Sequence, residues 1–500
     1  MIEKPRFILI AILTVGLILR LWKLNIPLLE FYPTRQVQTA DITRNFYQND
    51  FNILKPTVSY LGKGYKPFLI EFPGYNFLVA TLYSVFGPHE YFGRLLSILG
   101  WAISCYFLFQ IAKKYAGDLG AKAALFFYSF SPLSVLVSRS FQPDQWMLTL
   151  SISAIYFIIK WKENQKILLF IATLICASLA FLLKAQSVIF TIVPIYFAIL
   201  TSNSRSKLLL IFYSFFALVP VGLWTAFAAI QNRATPETAE VFSLSNYFGW
   251  NIFLNLKYYS NIFGYEYNLV LLPVGLFLIL IGLAAKLAKD QYFLYWWFWA
   301  VIIYFLIFNK LNMVHEYYHL PFLPIAAIFI GIGCEKLITN FKNLLIPKTT
   351  LIFIFSILIF VMMLPPTLER AYTPIERFRS VLETAQTIKN LTKSNDLIIG
   401  AMDGGPTLVY YSGRAGWLFD INSNKLSEQE EIFGLKVPNR TPIEELEDLR
   451  KKGATMFAAA SKTQFGSNKI FADYMYKNYP LVSNSNNYVI FDIKNKINAN

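Results

Sequence analysis

From about Tyr91 to Pro366 the chain is a succession of apolar runs separated by short polar connections, and this pattern leaves few folds open to it. An α-helix rises about 1.5 Å per residue, so a run of about 20 apolar residues crosses the roughly 30 Å hydrocarbon core of a bilayer. In lipid every backbone amide must find its partner inside the protein, which leaves only helices or a closed barrel. Runs of this length are helices. We expect spans near 91–112, 119–138, 145–160, 167–183, 186–201, 208–229, 267–285, 292–309, 319–335 and 349–366. Phe7–Leu19 forms a further run behind the basic lead Met1–Arg6. No small-residue cleavage pattern follows it, so it reads as an uncleaved first span. The expectation is a polytopic α-helical membrane protein of about eleven spans.

Composition agrees. The 500 residues are 55% hydrophobic and only 15% charged, which excludes a soluble protein of this size. The formal charge of +15 would suit nucleic acid, but the basic residues fall in short clusters between the apolar runs. No nucleic-acid partner is expected. Lys113 and Lys114, then Lys160, Lys162 and Lys166, then Arg205 and Lys207, then Lys286 and Lys289, then Lys336, Lys342 and Lys348 occupy every second connection. By the positive-inside rule that side is cytoplasmic, as is the N-terminus, and the chain ends outside. Cys105, Cys176 and Cys334 sit within apolar runs without the spacing of a disulfide framework or metal cluster.

This orientation puts the remaining polar stretches on one face: the Thr34–Tyr75 loop, the Arg139–Asp144 turn, Lys184, the Gln231–Tyr265 loop and the Asn309–His319 segment. Ionisable groups gathered at a membrane surface more often mark a working site than decoration. Within the first outer loop, Thr34 caps a short surface helix over Gln36–Tyr47, and Tyr75–Phe86 reads as a second interfacial helix, too short to span. After Pro365 and Pro366 the pattern changes to a soluble α/β module: helix Ile375–Leu391, strand Leu397–Ala401, turn Asp403–Pro406, helix Ile443–Lys451, and strands Thr455–Ala459 and Tyr488–Ile493. We therefore divide the chain into a membrane domain over 1–366 and an extracytoplasmic α/β domain over 367–500.

Glu71 and Asp144 are the carboxylates placed to take a proton from an acceptor, and otherwise ordinary headgroup-level acids. Lys184, at the outer end of a strongly apolar region, either snorkels to the interface or neutralises the phosphate of a lipid carrier. Arg35, Arg94 and Arg139 are further phosphate candidates, because a guanidinium donates two hydrogen bonds at once. The run His315-Glu316-Tyr317-Tyr318-His319 matches HExxH, a metal-binding pattern. With Pro321 close behind and no third ligand evident, a polar, aromatic wall for a sugar or phosphate fits it better.

At these residues the chain resembles the lipid-linked-sugar glycosyltransferases of the GT-C superfamily, nearest the protein O-mannosyltransferases and the aminoarabinose transferases of lipid A. The resemblance covers roughly residues 1 to 330. TADITRNFYQND is similar to the family's surface helix, and EFPGYNFLVATLYSVFGPHEYFGRLLSI to its interfacial loop and helix. SRSFQPDQWML resembles the loop with the second outer carboxylate, LLKAQSV the lysine motif near the donor phosphate, and HEYYHLPFLPIAA a late tyrosine-proline stretch. One departure stands out: where the family carries an Asp-Glu pair, this chain has Arg35 and Gln36.

The resemblance implies a GT-C-like fold and transfer of a sugar from a polyprenyl-phosphate carrier to a lipid, glycan or protein acceptor at the outer face of the cell membrane. A single displacement opposite the leaving phosphate would invert the anomeric centre. It assigns catalysis to Asp144 and Glu71, with Asp41 in reserve for the missing acid. Donor phosphate goes to Lys184, Arg35 and Arg139, and sugar or prenyl contacts to Trp146, His315, Tyr317 and Tyr318. Cations of the protein can neutralise the phosphate, so no cofactor is required; a divalent metal is compatible but not indicated. The rival readings are a lipid-linked-sugar flippase and a non-catalytic member of the same family.

Overall fold

The structure, a computed structural model, describes residues 4–202, 206–233, 242–340, 348–402, 405–422, 432 and 440–497. Two of the basic residues used for orientation, Arg205 and Lys342, lie outside them, as does part of the Asp403–Pro406 turn. The chain forms two compact units, one of residues 1–25, 91–227 and 243–372, the other of 26–90, 228–242 and 373–500.

The first unit is helical. Its helices include Lys4–Leu21, Tyr91–Phe130, Pro132–Ser138, Asp144–Asn164, Ile167–Leu183, Ser187–Leu200, Leu272–Ala284, Phe293–Ile307, Phe322–Asn340 and Lys348–Ala371. Large apolar side chains such as Phe7, Ile18, Leu208, Ile211 and Leu223 stand exposed, while Arg20, Arg94, Arg139 and Asp144 are buried. Water would penalise that inversion, and a bilayer stabilises it. Among the described residues three helices are long and apolar enough to cross a membrane: Tyr91–Phe130, Leu208–Asn232 and Phe322–Asn340. A bent pair, Leu256–Val270 with Leu272–Ala284, makes a fourth if read as one span, and Phe7–Leu21, Ile167–Leu183, Ser187–Leu200 and Phe293–Ile307 are shorter apolar helices. The expected runs 91–112 and 119–138 share the 40-residue Tyr91–Phe130 helix, broken at Gly117, whose φ of 73° suits glycine alone among common residues. Ser131 then turns the chain into Pro132–Ser138.

Small residues let the helix backbones meet. A Cβ on Gly120 would lie 2.7 Å from the Gly331 carbonyl oxygen, and one on Gly331 would lie 3.0 Å from the Gly120 carbonyl carbon. Such close approach is how helices gain packing energy where lipid competes for apolar surface.

The second unit is built on a six-stranded sheet in the order Leu61–Gly62, Ala415–Phe419, Leu397–Ala401, Ala454–Ala459, Val489–Asp492, Leu481–Asn484. The strands at 397, 415 and 454 run parallel, and the outer pairings are antiparallel. Alternate side chains divide between two cores. Ile399, Ala401, Phe457 and Phe491 pack with Leu446, Phe471 and Met475, while Ile398, Met456, Ala458 and Ile490 pack with Val381, Ile388 and Leu408. The strands and helices expected after residue 366 are found close to their expected bounds, except that the Ile375–Leu391 helix begins only at Val381, after a 3-10 turn over Glu376–Phe378.

The compact units divide the chain differently from the expected boundary at 366/367. The second core also takes in Leu29, Val58 and Tyr60, and Leu61–Gly62 pairs antiparallel with Trp417 and Gly416. A sheet buried on both faces must be covered on both, and residues 373–500 share that cover with the first outer loop. The unit boundary falls at Tyr372/Thr373 rather than at 366/367, and residues 26–90 and 228–242 belong with the C-terminal part.

Candidate active site

Asp144 is the first residue of the Asp144–Asn164 helix, and Lys184 is the residue that ends the next one, Ile167–Leu183. These helices form an antiparallel hairpin, so the start of one and the end of the other return to the same level. Each end also suits its charge, since a helix N-terminus favours an anion and a C-terminus a cation. The two side chains form an ion pair, 1% and 7% exposed. Oδ1 of Asp144 accepts from Lys184 Nζ, and Oδ2 is buried with no hydrogen-bond partner among the described residues.

The lysine also faces aromatic rings. Its Nζ lies 4.3 Å from the centre of the Tyr318 ring and 4.8 Å from that of Tyr317, a cation–π arrangement. Both tyrosines stand on the 3-10 turn Glu316–His319, the Tyr304 hydroxyl donates to the Tyr318 carbonyl at 3.1 Å, and His315 stacks on Tyr317 at 5.5 Å. The turn before Asp144 is fixed by the Ser97 hydroxyl, which donates to the Ser140 carbonyl at 2.8 Å, and by Phe141, which fills the space a side chain at Gly93 would need.

Three expected roles in this unit meet other commitments. The Arg139 guanidinium donates to the carbonyls of Ala371, Trp22 and Lys23 and lies 4.4 Å over the Tyr372 ring. The Trp146 indole donates to the Leu96 carbonyl at 2.7 Å, tying its helix to Tyr91–Phe130. Arg94 likewise donates to the Leu24 carbonyl at 2.7 Å.

The HExxH pattern does not build a metal site. Its residues form a 3-10 turn with His315 extended, not the α-helix that would stack positions i and i+4. His319 uses both ring nitrogens, with Glu266 Oε1 at 2.7 Å and the Asn312 carbonyl at 3.0 Å, and Glu316 pairs with Arg370. Burial pushes the Glu316 carboxyl up, and Arg370 opposes the shift. Among the described residues no group of three or more His, Cys, Asp or Glu side chains is arranged to hold a metal.

In the second unit, Arg35 stands on the Pro33–Gln48 helix and Glu71 just before the Gly74–Phe86 helix, both close to their expected bounds. They form an ion pair, each 14% exposed, and Arg35 Nη1 also donates to Gln38 Oε1 at 2.9 Å. Both line a small, partly open hollow with Thr39, Phe68 and Asn76. Gln36 turns away and donates to the Phe31 carbonyl at 2.6 Å. Asp41 is fully buried, with Oδ2 accepting from the Ser59 amide at 2.8 Å and Oδ1 from the Ser59 hydroxyl at 2.8 Å and Arg44 at 2.6 Å. That knot pins the Thr57–Val58 strand region to the surface helix and leaves Asp41 no oxygen for an acceptor. Burial, with Asp41 nearby, pushes the Tyr60 phenol up.

The expected site residues thus come together in two sets: Asp144, Lys184, Tyr317 and Tyr318 in one unit, and Arg35 and Glu71 in the other. Sequence reading missed Arg20, which is fully buried, lies 3.8 Å over the Trp101 ring and donates to Ser138, Ser134, Ser129 and Gly16. Its one signal was position, an arginine at the end of the first apolar run and followed at once by Leu21 and Trp22.

The apolar helices mark a membrane protein, and its fold is similar to that of glycosyltransferases of known structure. The family model of dolichyl-phosphate-mannose-protein mannosyltransferases matches residues 66–224, inside the stretch that carried the resemblance. The structure is similar to ArnT from Cupriavidus metallidurans bound to undecaprenyl phosphate, with a TM-score of 0.65 at 13% identity over 97% of each chain. It is similar to the Archaeoglobus fulgidus oligosaccharyltransferase in its apo form, with a TM-score of 0.55 at 12% identity over 94% of this chain and 73% of that one. It is also similar to the mycobacterial arabinofuranosyltransferase AftD, with a TM-score of 0.53 at 11% identity over 98% of this chain and 40% of that one. At these identities the likeness is one of fold. No curated protein sequence matches the chain.

Proposed function

We propose that this chain is an integral-membrane glycosyltransferase that moves a sugar from a polyprenyl-phosphate carrier to an acceptor at the extracytoplasmic face of the cell membrane, inverting the anomeric centre. The observation that carries this reading is the buried Asp144–Lys184 pair against Tyr317 and Tyr318. Transfer from a phosphate leaving group develops positive charge on the sugar ring and negative charge on the departing oxygen. A carboxylate to deprotonate the acceptor and a cation to hold the phosphate answer those two needs. Asp144 is the base, Lys184 holds the phosphate, and Tyr317, Tyr318 and His315 supply ring faces for sugar or prenyl chain.

Two of the similar structures were solved with carriers of this kind, ArnT with undecaprenyl phosphate and the Archaeoglobus oligosaccharyltransferase with dolichol-phosphate. Glu71 is the second candidate base, because it is partly exposed and lines a small hollow, with Arg35 as its cation. Arg139, Trp146 and Asp41 act as braces, since their polar atoms are engaged with backbone, Ser59 or Arg44. The chemistry calls for no cofactor.

The test is transfer of radiolabelled sugar from polyprenyl phosphate in membranes carrying the protein. Loss of transfer in Asp144→Asn, with the protein still folded, supports the reading. Full transfer in both Asp144→Asn and Glu71→Gln excludes the catalytic assignment. Translocation of the carrier without transfer would favour the flippase reading, and neither activity the non-catalytic one.

A further inference from the structure

A base and a phosphate-binding cation bonded to each other are both occupied. Asp144 cannot accept a proton efficiently while Lys184 donates to it, and Lys184 cannot stabilise a phosphate while its charge is matched. The surroundings of the pair point to an exchange. Asp144 keeps one oxygen buried with no hydrogen-bond partner among the described residues. The rings of Tyr317 and Tyr318 attract the ammonium through their faces without taking up its N–H donors in conventional hydrogen bonds. Two further buried polar groups lie beside the pair in the chain without hydrogen-bond partners among the described residues, the Gln142 amide and the Ser187 hydroxyl. Polar atoms buried in this way are costly unless something completes them.

We infer that the pair is a latch opened by the donor itself: the incoming phosphate takes Lys184 from Asp144, and the carboxylate so released becomes the base. This rests on the function proposed above and adds an order of events to it. With the donor absent, Asp144 is masked and activates no water. With the donor bound, Lys184 Nζ donates to a phosphate oxygen, and the tyrosine faces hold the ammonium through the exchange. The acceptor O–H then attacks the anomeric carbon and its proton passes to Asp144. The anomeric C–O bond to phosphate breaks, and its electron pair leaves on the phosphate, whose new charge Lys184 meets. No oxidant, reductant or further reactant is needed.

The latch makes a prediction that a simple binding site does not. Breaking the ion pair taxes carrier binding, so removing the carboxylate charge should tighten binding while abolishing transfer. The experiment measures the Kd of undecaprenyl phosphate, the sugar-free carrier, in detergent micelles for the wild type, Asp144→Asn, Asp144→Ser, Lys184→Met and the double variant Asp144→Asn/Lys184→Met. A parallel assay follows sugar transfer from a loaded carrier. We expect Asp144→Asn and Asp144→Ser to bind about five-fold tighter or more and to transfer nothing, the two substitutions guarding against a folding defect in one. Lys184→Met should bind about ten-fold weaker, and adding Asp144→Asn to it should recover nothing, because the gain acts through the lysine. Unchanged or weaker carrier binding in both Asp144 variants, beside a wild type that binds and transfers, overturns the latch and leaves the transferase reading standing. Tightening that persists without Lys184 also overturns it. A wild type that neither binds carrier nor transfers sugar sinks both.

Discussion

Replacing Gly331 with alanine tests how closely the helices of the membrane unit approach. The added methyl would fall 3.0 Å from the Gly120 carbonyl carbon, closer still to its oxygen, and 3.2 Å from the Ala124 Cβ. The obstacle is backbone on a neighbouring helix, so no rotamer relieves it and the two helices must part. Overpacking of this kind costs about 1–3 kcal/mol. Alanine also returns up to about 1 kcal/mol of helix propensity over glycine, so the net loss is about 0–2 kcal/mol. The control is Gly222→Ala in the Ser206–Asn232 helix, where a methyl meets nothing within 4 Å and only the propensity gain remains. Thermal unfolding in detergent, followed by tryptophan fluorescence, should place Gly331→Ala below the wild type and Gly222→Ala at or above it, a separation of roughly 1–3 kcal/mol, since the propensity gain is common to both. If Gly331→Ala melts level with Gly222→Ala, the backbones are not in contact and the packing argument fails.

Asp41→Ala should cost about 3–5 kcal/mol, because it strands Arg44 and the Ser59 amide in a buried knot, and a drop in urea midpoint with faster proteolysis of residues 26–90 would register it. Gly62→Val should destabilise the sheet by about 1–3 kcal/mol, read as a lower urea midpoint, since φ is +114° and the Trp417 ring lies 2.9 Å from the added Cβ. Burial pushes the Glu447 carboxyl up, but the hydroxyls of Tyr474 and Tyr479, with Lys496 and Arg450, hold it down at about 2. A depressed folded value stabilises above the unfolded carboxyl value of about 4.3 and loses that contribution as pH falls towards 2. Glu447→Gln should therefore lower the urea midpoint at neutral pH and flatten its decline between those two pH values.

What the sequence made legible follows from range. Helix existence, the surface helix behind Pro33 and the strands after residue 366 rest on periodicities of a few residues, and they stand near their expected places. The meeting of Asp144 with Lys184 was legible too, because two helices in a hairpin bring their distant ends level. Arg139 shows the limit. An arginine at an outer turn is a phosphate ligand or a brace according to what lies opposite, and here that is the carbonyl of Ala371, far along the chain. Leu61–Gly62 is two residues long, too short to carry alternation, so nothing local announced it as part of a sheet. The span count depends on where long runs bend, and Gly117 alone decided one such case.

That two-residue strand ties the beginning of the chain to its end. The ribosome delivers Leu61 long before Trp417 exists to receive it, so this strand waits without its partner until synthesis is nearly complete. A fragment starting at Thr373 would expose that margin to solvent and to other copies of itself. Anyone grafting this module onto a relative will have to move the early loop along with it.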